Sequence, residues 1–182
     1  MAVNYGKRFE KNFKKSVPED VWYYRIPDPV EVFSDIKHQL SFHIKNPCDC
    51  LIWNWKTKQL YALELKSTQQ SLLTFWKKEF ENGKKDQSFM IKKNQIEGLA
   101  KIKEYNVNCG FIINFRKSDA TESTYYLGID DFLQFSNETT KKSINEKDVI
   151  EYNGVPLQSK KLRSNFTYDV ASLFEKVYIK EF

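Results

Sequence analysis

Glu64 and Lys66 stand two residues apart at the end of an otherwise apolar run, Leu60–Leu65. Side chains alternate faces along a strand, so these two project to the same side while Leu63 and Leu65 point the other way. Asp49 lies upstream, flanked by Cys48 and Cys50 in a second apolar run, Cys48–Trp53. If the runs pair as a hairpin, Asp49 meets Glu64 on one face, with both cysteines expected to face away from it. Two carboxylates brought together repel, and one would normally take up a proton. A hard divalent cation removes the conflict, because Mg²⁺ is commonly held by one or two carboxylates, water and substrate phosphate. Such an ion lowers the pKa of a bound water and stabilises charge on a phosphoryl oxygen, and Lys66 beside it would orient the water or balance the transition state. The product is phosphodiester hydrolysis. The plainer reading is a surface Glu–Lys pair worth at most about 1 kcal/mol, and the spacing D-x(14)-E-x-K is by itself a weak signal.

Two further residues bear on the same chemistry. Glu10 is the single acid in the basic stretch from Lys7 to Lys15; it reads either as a helix residue paired with Lys14 or as a third acid for the site. Gln95 follows Ile91 by four residues and precedes Ile96, on or beside the apolar side of a helix. A buried amide needs hydrogen-bond partners, and an active-site water or phosphate is one candidate, a satisfied core glutamine the other.

The elements that must position these residues can be read coarsely. Residues 4 to 16 form a helix with Asn4 as N-cap, Phe9 and Phe13 one turn apart and Pro18 as the stop. Val21–Ile26 is a short strand, broken by Pro27 and Pro29. Val30 to Ile44 alternates loosely and suggests a projecting hairpin or arm. Cys48–Trp53 and Leu60–Leu65 make a hairpin through the polar turn Asn54 to Gln59. Residues 69 to 90 are ambiguous between helix and loop. Ile91 to Tyr105 is the clearest helix, Gly110–Phe115 and Tyr125–Ile129 are strands, and Asp130 to Phe135 caps a short helix. Residues 136 to 165 read as irregular, and Tyr168 to Tyr178 as a closing amphipathic helix. Interleaved helices and strands favour an α/β layer with a mixed sheet. A length of 182 residues suits one domain with a real core.

Hydrophobic residues make up 41% of the chain and charged residues 29%, an ordinary globular balance. The 29 Lys+Arg exceed the 24 Asp+Glu, and the excess is clustered between Lys7 and Lys15 and again over Lys77, Lys78, Lys84, Lys85, Lys92 and Lys93. Such runs neutralise phosphates, although a solvated helix face gives the same pattern. No apolar run is long enough to span a membrane, and the charged N-terminus is no secretory signal. The three cysteines, Cys48, Cys50 and Cys109, lack metal-site spacing and read as small buried hydrophobes of a reducing cytoplasm.

The segment NPCDCLIWNWKTKQLYALELKST (46–68) resembles the active-site hairpin of the RecU family of Holliday-junction resolvases, in which an Asp strand leads to an E-x-K strand ending in Thr. The corresponding positions are Asp49, Glu64, Lys66 and Thr68. The resemblance extends to YGKRFEKNF with Glu10, to SFMIKKNQIEGLAKI with Gln95 and Ile96 in register, to NCGFIINF and TYYLGIDDF, and to KSINEKDVIE and YDVASLFEKVYI. It implies a restriction-endonuclease-like PD-(D/E)XK core, a mixed central sheet flanked by helices in one nuclease domain over 1–182. Val30 to Ile44 would be a stalk, an insertion at about 30–45, entering the centre of the junction. It further implies a homodimer that makes paired nicks in four-way DNA with Mg²⁺ or Mn²⁺. Asp49 and Glu64 would hold the metal, and Glu10, Lys66 and Gln95 would complete the catalytic set. Lys7, Arg8, Lys11, Arg25, Lys92 and Lys93 are expected against DNA, with Lys37, His38 and Lys45 on the stalk; His38 and His43 would be contact or structural residues. Three departures stand out: the hydrophilic stretch Leu73 to Gln87, Asn94 where the family often has His, and a start close to the first helix. The last suits a phage-encoded or minimal member, working in a host cytoplasm, with recombination or branch-migration proteins as partners.

Two other functions fit the same residues. A restriction-like nuclease on linear duplex would not need the 30–45 arm, and a non-catalytic DNA-binding protein would not need clustered carboxylates.

Overall fold

The computed structural model describes residues 4–27, 46–80 and 89–181. The expected arm, with Lys37, His38, His43 and Lys45, lies outside them, as do Lys84 and Lys85.

The chain opens with helix α1 (Tyr5–Ser16), where the Asn4 side chain accepts a hydrogen bond from the Lys7 amide at 3.1 Å. Phe9 and Phe13 are buried, and the backbone turns extended at Val17, ahead of Pro18. Strand β1 (Trp22–Arg25) pairs antiparallel with β2 (Cys50–Asn54), which forms the expected hairpin with β3 (Gln59–Thr68). The turn between them closes through Lys58 at φ 54°, a left-handed conformation. Next come β4 (Leu72–Thr74), helix α2 (Lys93–Lys103), β5 (Asn108–Arg116), β6 (Glu122–Gly128) and α3 (Ile129–Glu138). The chain ends with β7 (Ser143–Asn145), α4 (Glu146–Glu151), β8 (Val155–Pro156), the β9–β10 hairpin (Ser159–Lys161, Phe166–Tyr168) and α5 (Val170–Glu181).

The main sheet runs in the order β1-β2-β3-β5-β6-β8. Only β3 and β5 are parallel among its neighbours, because the crossover through α2 lets the chain re-enter in the same direction. The sheet is therefore mixed, and helices cover both faces. On one side Tyr61, Leu63, Leu65 and Ile112 pack with α1 and α5 through Phe13, Val170, Phe174 and Val177. On the other, Ala62, Phe111, Ile113 and Phe115 pack with α2 and α3 through Ile96, Leu99, Phe132 and Phe135. The alternation along β3 thus sends Leu63 and Leu65 to the α1 side and leaves Glu64 and Lys66 on the α2 side. The α/β class and mixed sheet match the sequence expectation.

Four expectations change. The ambiguous 69 to 90 stretch contains a short strand, β4, paired with β7, and an isolated parallel bridge between Phe75 and Ile91. Ile91 therefore belongs to that bridge, and α2 starts at Lys93. Residues 136 to 165 are not irregular: Asn145 and Asp148 form a reciprocal capping box, at 2.9 and 3.0 Å, that starts α4. Cys48 and Cys50 do not share a face, for Cys48 joins the α2-side core and Cys50 the α1-side core. Regular strand geometry begins only at Cys50, so strict alternation fails one residue upstream. All three cysteines are buried and unbridged.

Candidate active site

Pairing of β2 with β3 sets Cys50 against Leu63, so the register continued by one step would put Asp49 opposite Glu64. Asp49 is where the ladder ends. Its amide still donates to the Leu63 carbonyl at 3.1 Å, but its side chain takes over the next rung: Oδ2 accepts from the Leu65 amide at 2.7 Å. The carboxylate is thereby fixed beside β3 by a backbone donor.

Glu64 is 3% exposed, which removes the reading of a surface ion pair. Its Oε1 lies 2.9 Å from Lys66 Nζ and also accepts a hydrogen bond from Gln95 Nε2. Gln95 sits in the first turn of α2, where its Oε1 accepts from the Lys92 amide at 2.9 Å. The amide thus ends one helix and orients one carboxylate at once. The same helix anchors the segment that delivers Asp49: Asn94 Nδ2 donates to the Asn46 carbonyl at 3.1 Å, and Gly98 packs directly on Pro47. A Cβ at Gly98 would meet Pro47 Cβ at 2.5 Å and Pro47 Cα at 3.0 Å.

Burial dominates the electrostatics. It raises Glu64 to about 7, Lys66 opposing the rise and Asp49 adding to it. Burial also raises Asp49, with the Leu65 amide and Lys66 pulling the other way and Glu10 pushing up. Burial raises both carboxylates and Asp49 further raises Glu64, so the site is short of positive charge, with Lys66 making up only part of it. Among the described residues, Asp49 Oδ1 and Glu64 Oε2 take no hydrogen bond. The donor set left over is hard oxygen on adjoining carboxylates, which fits Mg²⁺ completed by water and phosphate.

Glu10 does not pair with Lys14, the first of its two sequence readings. Its Oε2 pairs with Arg25 at 3.2 Å, while Lys14 lies over the Tyr23 ring at 5.8 Å. No group of three His, Cys, Asp or Glu side chains able to hold a metal ion forms among the described residues. Glu10 and Arg25 still act on the site through their charges, since both influence Asp49. Arg25, expected at DNA, is therefore part of the charge balance around Asp49.

The remaining expected DNA contacts are dispersed. Lys7 and Lys11 are exposed on α1. Arg8 turns toward Asn165, donating from Nε at 3.3 Å. Lys92 and Lys93 flank the start of α2 beside Gln95, with Lys93 4.7 Å over the Trp76 ring. Lys77 is tied down, donating to the Thr139 carbonyl at 3.0 Å. Thr68 shapes the turn after β3 by accepting from the Gln70 amide at 3.0 Å. Sequence reasoning missed a set of cations on the opposite side of α1, namely Arg116, Lys161 and Arg163. Lys161 and Arg163 belong to a short basic run, Lys160 to Arg163, that was a readable signal, whereas Arg116 comes from a distant strand and no spacing joins it to them.

No family model matches the chain, and no curated protein does. Among solved structures the chain is similar to Hjc, a Holliday junction resolvase from the archaeal hyperthermophile Archaeoglobus fulgidus. The identity is 15%, the match covers 83% of this chain and 95% of that one, and the TM-score is 0.44. So loose a likeness transfers no residue role. No helix among the described residues is long and apolar enough to cross a membrane.

Proposed function

We propose that this chain is a metal-dependent endodeoxyribonuclease of PD-(D/E)XK type that resolves four-way DNA junctions, akin to the RecU family. One observation carries the nuclease reading: a buried Glu64 bonded to Lys66 and Gln95, beside an Asp49 carboxylate fixed on the same strand. When bound between Asp49 and Glu64, Mg²⁺, with Mn²⁺ able to replace it, supplies a water of lowered pKa and counter-charge for the phosphoryl oxygens.

The chain's own groups do the rest. Gln95 holds Oε1 of Glu64 so that the other oxygen faces the site. The Leu65 amide does the same for Asp49. Lys66 stands where negative charge develops on the scissile phosphate, and its ammonium is pre-positioned by Glu64 at no further cost during reaction. Arg25, steadied by Glu10, offsets the carboxylate charge that would otherwise repel a DNA strand. Lys92 and Lys93, at the start of the helix carrying Gln95, are positioned to take neighbouring phosphates.

The choice of junction over linear DNA rests on the sequence resemblance. So do the homodimer, whose two-fold axis would place symmetric nicks, the stalk and recombination or branch-migration partners, while the single domain rests also on chain length and the cytoplasmic setting on the cysteines. Labelled four-way, flap and linear duplexes incubated with and without Mg²⁺ test the reading. Paired nicks in the four-way substrate, dependent on metal, are expected. Equal cutting of linear duplex would make it a restriction-like nuclease, and binding without any cutting would make it a DNA-binding protein.

A further inference from the structure

On the other side of α1 from Glu10, the helix, the β5–β6 turn and the β9–β10 hairpin enclose a cavity of about 370 Å³. Arg8, Arg116, Lys117, Lys161 and Arg163 line it, against a single lining carboxylate, Glu122. Only Lys117 among these cations has an ion-pair partner among the described residues, Glu146 at 3.8 Å. Like charges gathered with so little compensation lower stability unless something else holds them.

The two inner arginines are oriented. Arg8 commits Nε to Asn165 at 3.3 Å, and Arg116 commits Nε to Ser67 Oγ at 3.1 Å. Their terminal nitrogens make no hydrogen bond or ion pair among the described residues, and Glu122 meets both arginines only through longer-range attraction, which leaves two guanidinium forks of the kind that grip phosphate oxygens. Arg116 also lies 4.2 Å over the Tyr5 ring, and Phe9 and Phe166 add apolar wall. The volume exceeds that of a lone phosphate and falls in the range of about 300–1,000 Å³ seen for small-molecule sites.

We infer that this cavity binds a phosphate-bearing nucleotide of a nucleic-acid strand, gripping the phosphate with Arg8 and Arg116 and drawing it in through Lys161 and Arg163. The site is separate from Asp49 and Glu64, and its occupation does not depend on cleavage. The phosphate is either a terminal monoester or an internal diester.

The test measures binding of a fluorescent thymidine tetranucleotide, with and without a 5′-phosphate, across a salt series in EDTA, where no metal-dependent cutting occurs. The variants are Lys161→Gln/Arg163→Gln, whose side chains are exposed, and Arg8→Gln; Asp49→Asn is the control. The double variant should bind at least tenfold more weakly with an unchanged melting temperature. Its salt slope should fall by up to ~0.7, the value for one phosphate contact on a single strand. Loss confined to the phosphorylated oligonucleotide identifies a terminal monoester, and equal loss on both an internal diester. Unchanged affinity and slope in both variants, or no binding by the wild type, overturns the inference. Loss of binding in Asp49→Asn would show that the strand sits at the carboxylates instead. Absence of nicking with cavity binding intact would count against the nuclease reading alone.

Discussion

Helix α1 separates two regions of opposite character. Toward Asp49 and Glu64 the fold buries carboxylates with too little positive charge to satisfy them. Around the cavity beyond Arg8 it gathers cations with a single lining carboxylate to answer them. In each, protein groups fix the charged side chains by one atom and leave others open: Leu65 and Gln95 in the first, Asn165 and Ser67 in the second. A folded chain tolerates such imbalance when its counter-charge arrives from outside, which we propose to be a divalent cation in one region and phosphate in the other.

The largest effect that would sharpen this contrast is chemical. Asp49→Asn and Lys66→Ala should each reduce junction nicking by about 10²–10³-fold or more, as read from initial rates on a labelled four-way substrate. Oligonucleotide binding at the cavity should be unaffected by either. If cavity binding fell alongside nicking, the two regions would not be independent.

A packing change should affect the acid region and spare the other. Gly98→Ala forces Pro47 away from α2, because the added Cβ would sit 2.5 Å from Pro47 Cβ. The segment that carries Asp49 must shift. Thermal unfolding should report a loss of about 1–3 kcal/mol, typical of overpacking, and nicking should drop at least tenfold. Retention of full nicking would mean that Asp49 is not held through Pro47.

The smallest effect is on pH dependence. Burial holds Glu64 at about 7 in the folded chain, against an ordinary 4.5. Between those values the folded chain keeps a proton that the unfolded chain has lost, so stability in EDTA falls as pH rises through that window. Asp49, raised in the same direction, adds to the fall. Melting temperatures across the window should decline for wild type and decline less for Glu64→Gln. An equal decline in both would remove Glu64 as the source.

Much of this was legible from local pattern. The Asn4 cap, the Asp49–Glu64 hairpin and the apolar stripe of α2 follow from side-chain chemistry and periodicity, and each formed near its expected bounds. The alternation of Glu64 and Lys66 against Leu63 and Leu65 was readable for the same reason. What the sequence hid depends on contacts between distant segments. The β4–β7 pair joins runs too short to signal a strand alone. The pairing of Glu10 with Arg25 and the gathering of Arg8, Arg116 and Arg163 arise from packing that no spacing encodes. The α4 capping box was different, since its Asn-x-x-Asp signal lay in plain view at Asn145 and Asp148 within a stretch read as irregular.

The central claim is that Asp49 and Glu64 together hold a divalent cation. Calorimetric titration of Mg²⁺ into wild type and Asp49→Asn, at about pH 8 and so above the value of about 7 to which burial raises Glu64, measures it without reference to DNA. Saturable binding in the wild type that vanishes in the variant is the predicted result. Identical binding curves for the two proteins, or no saturable binding in the wild type, would contradict it.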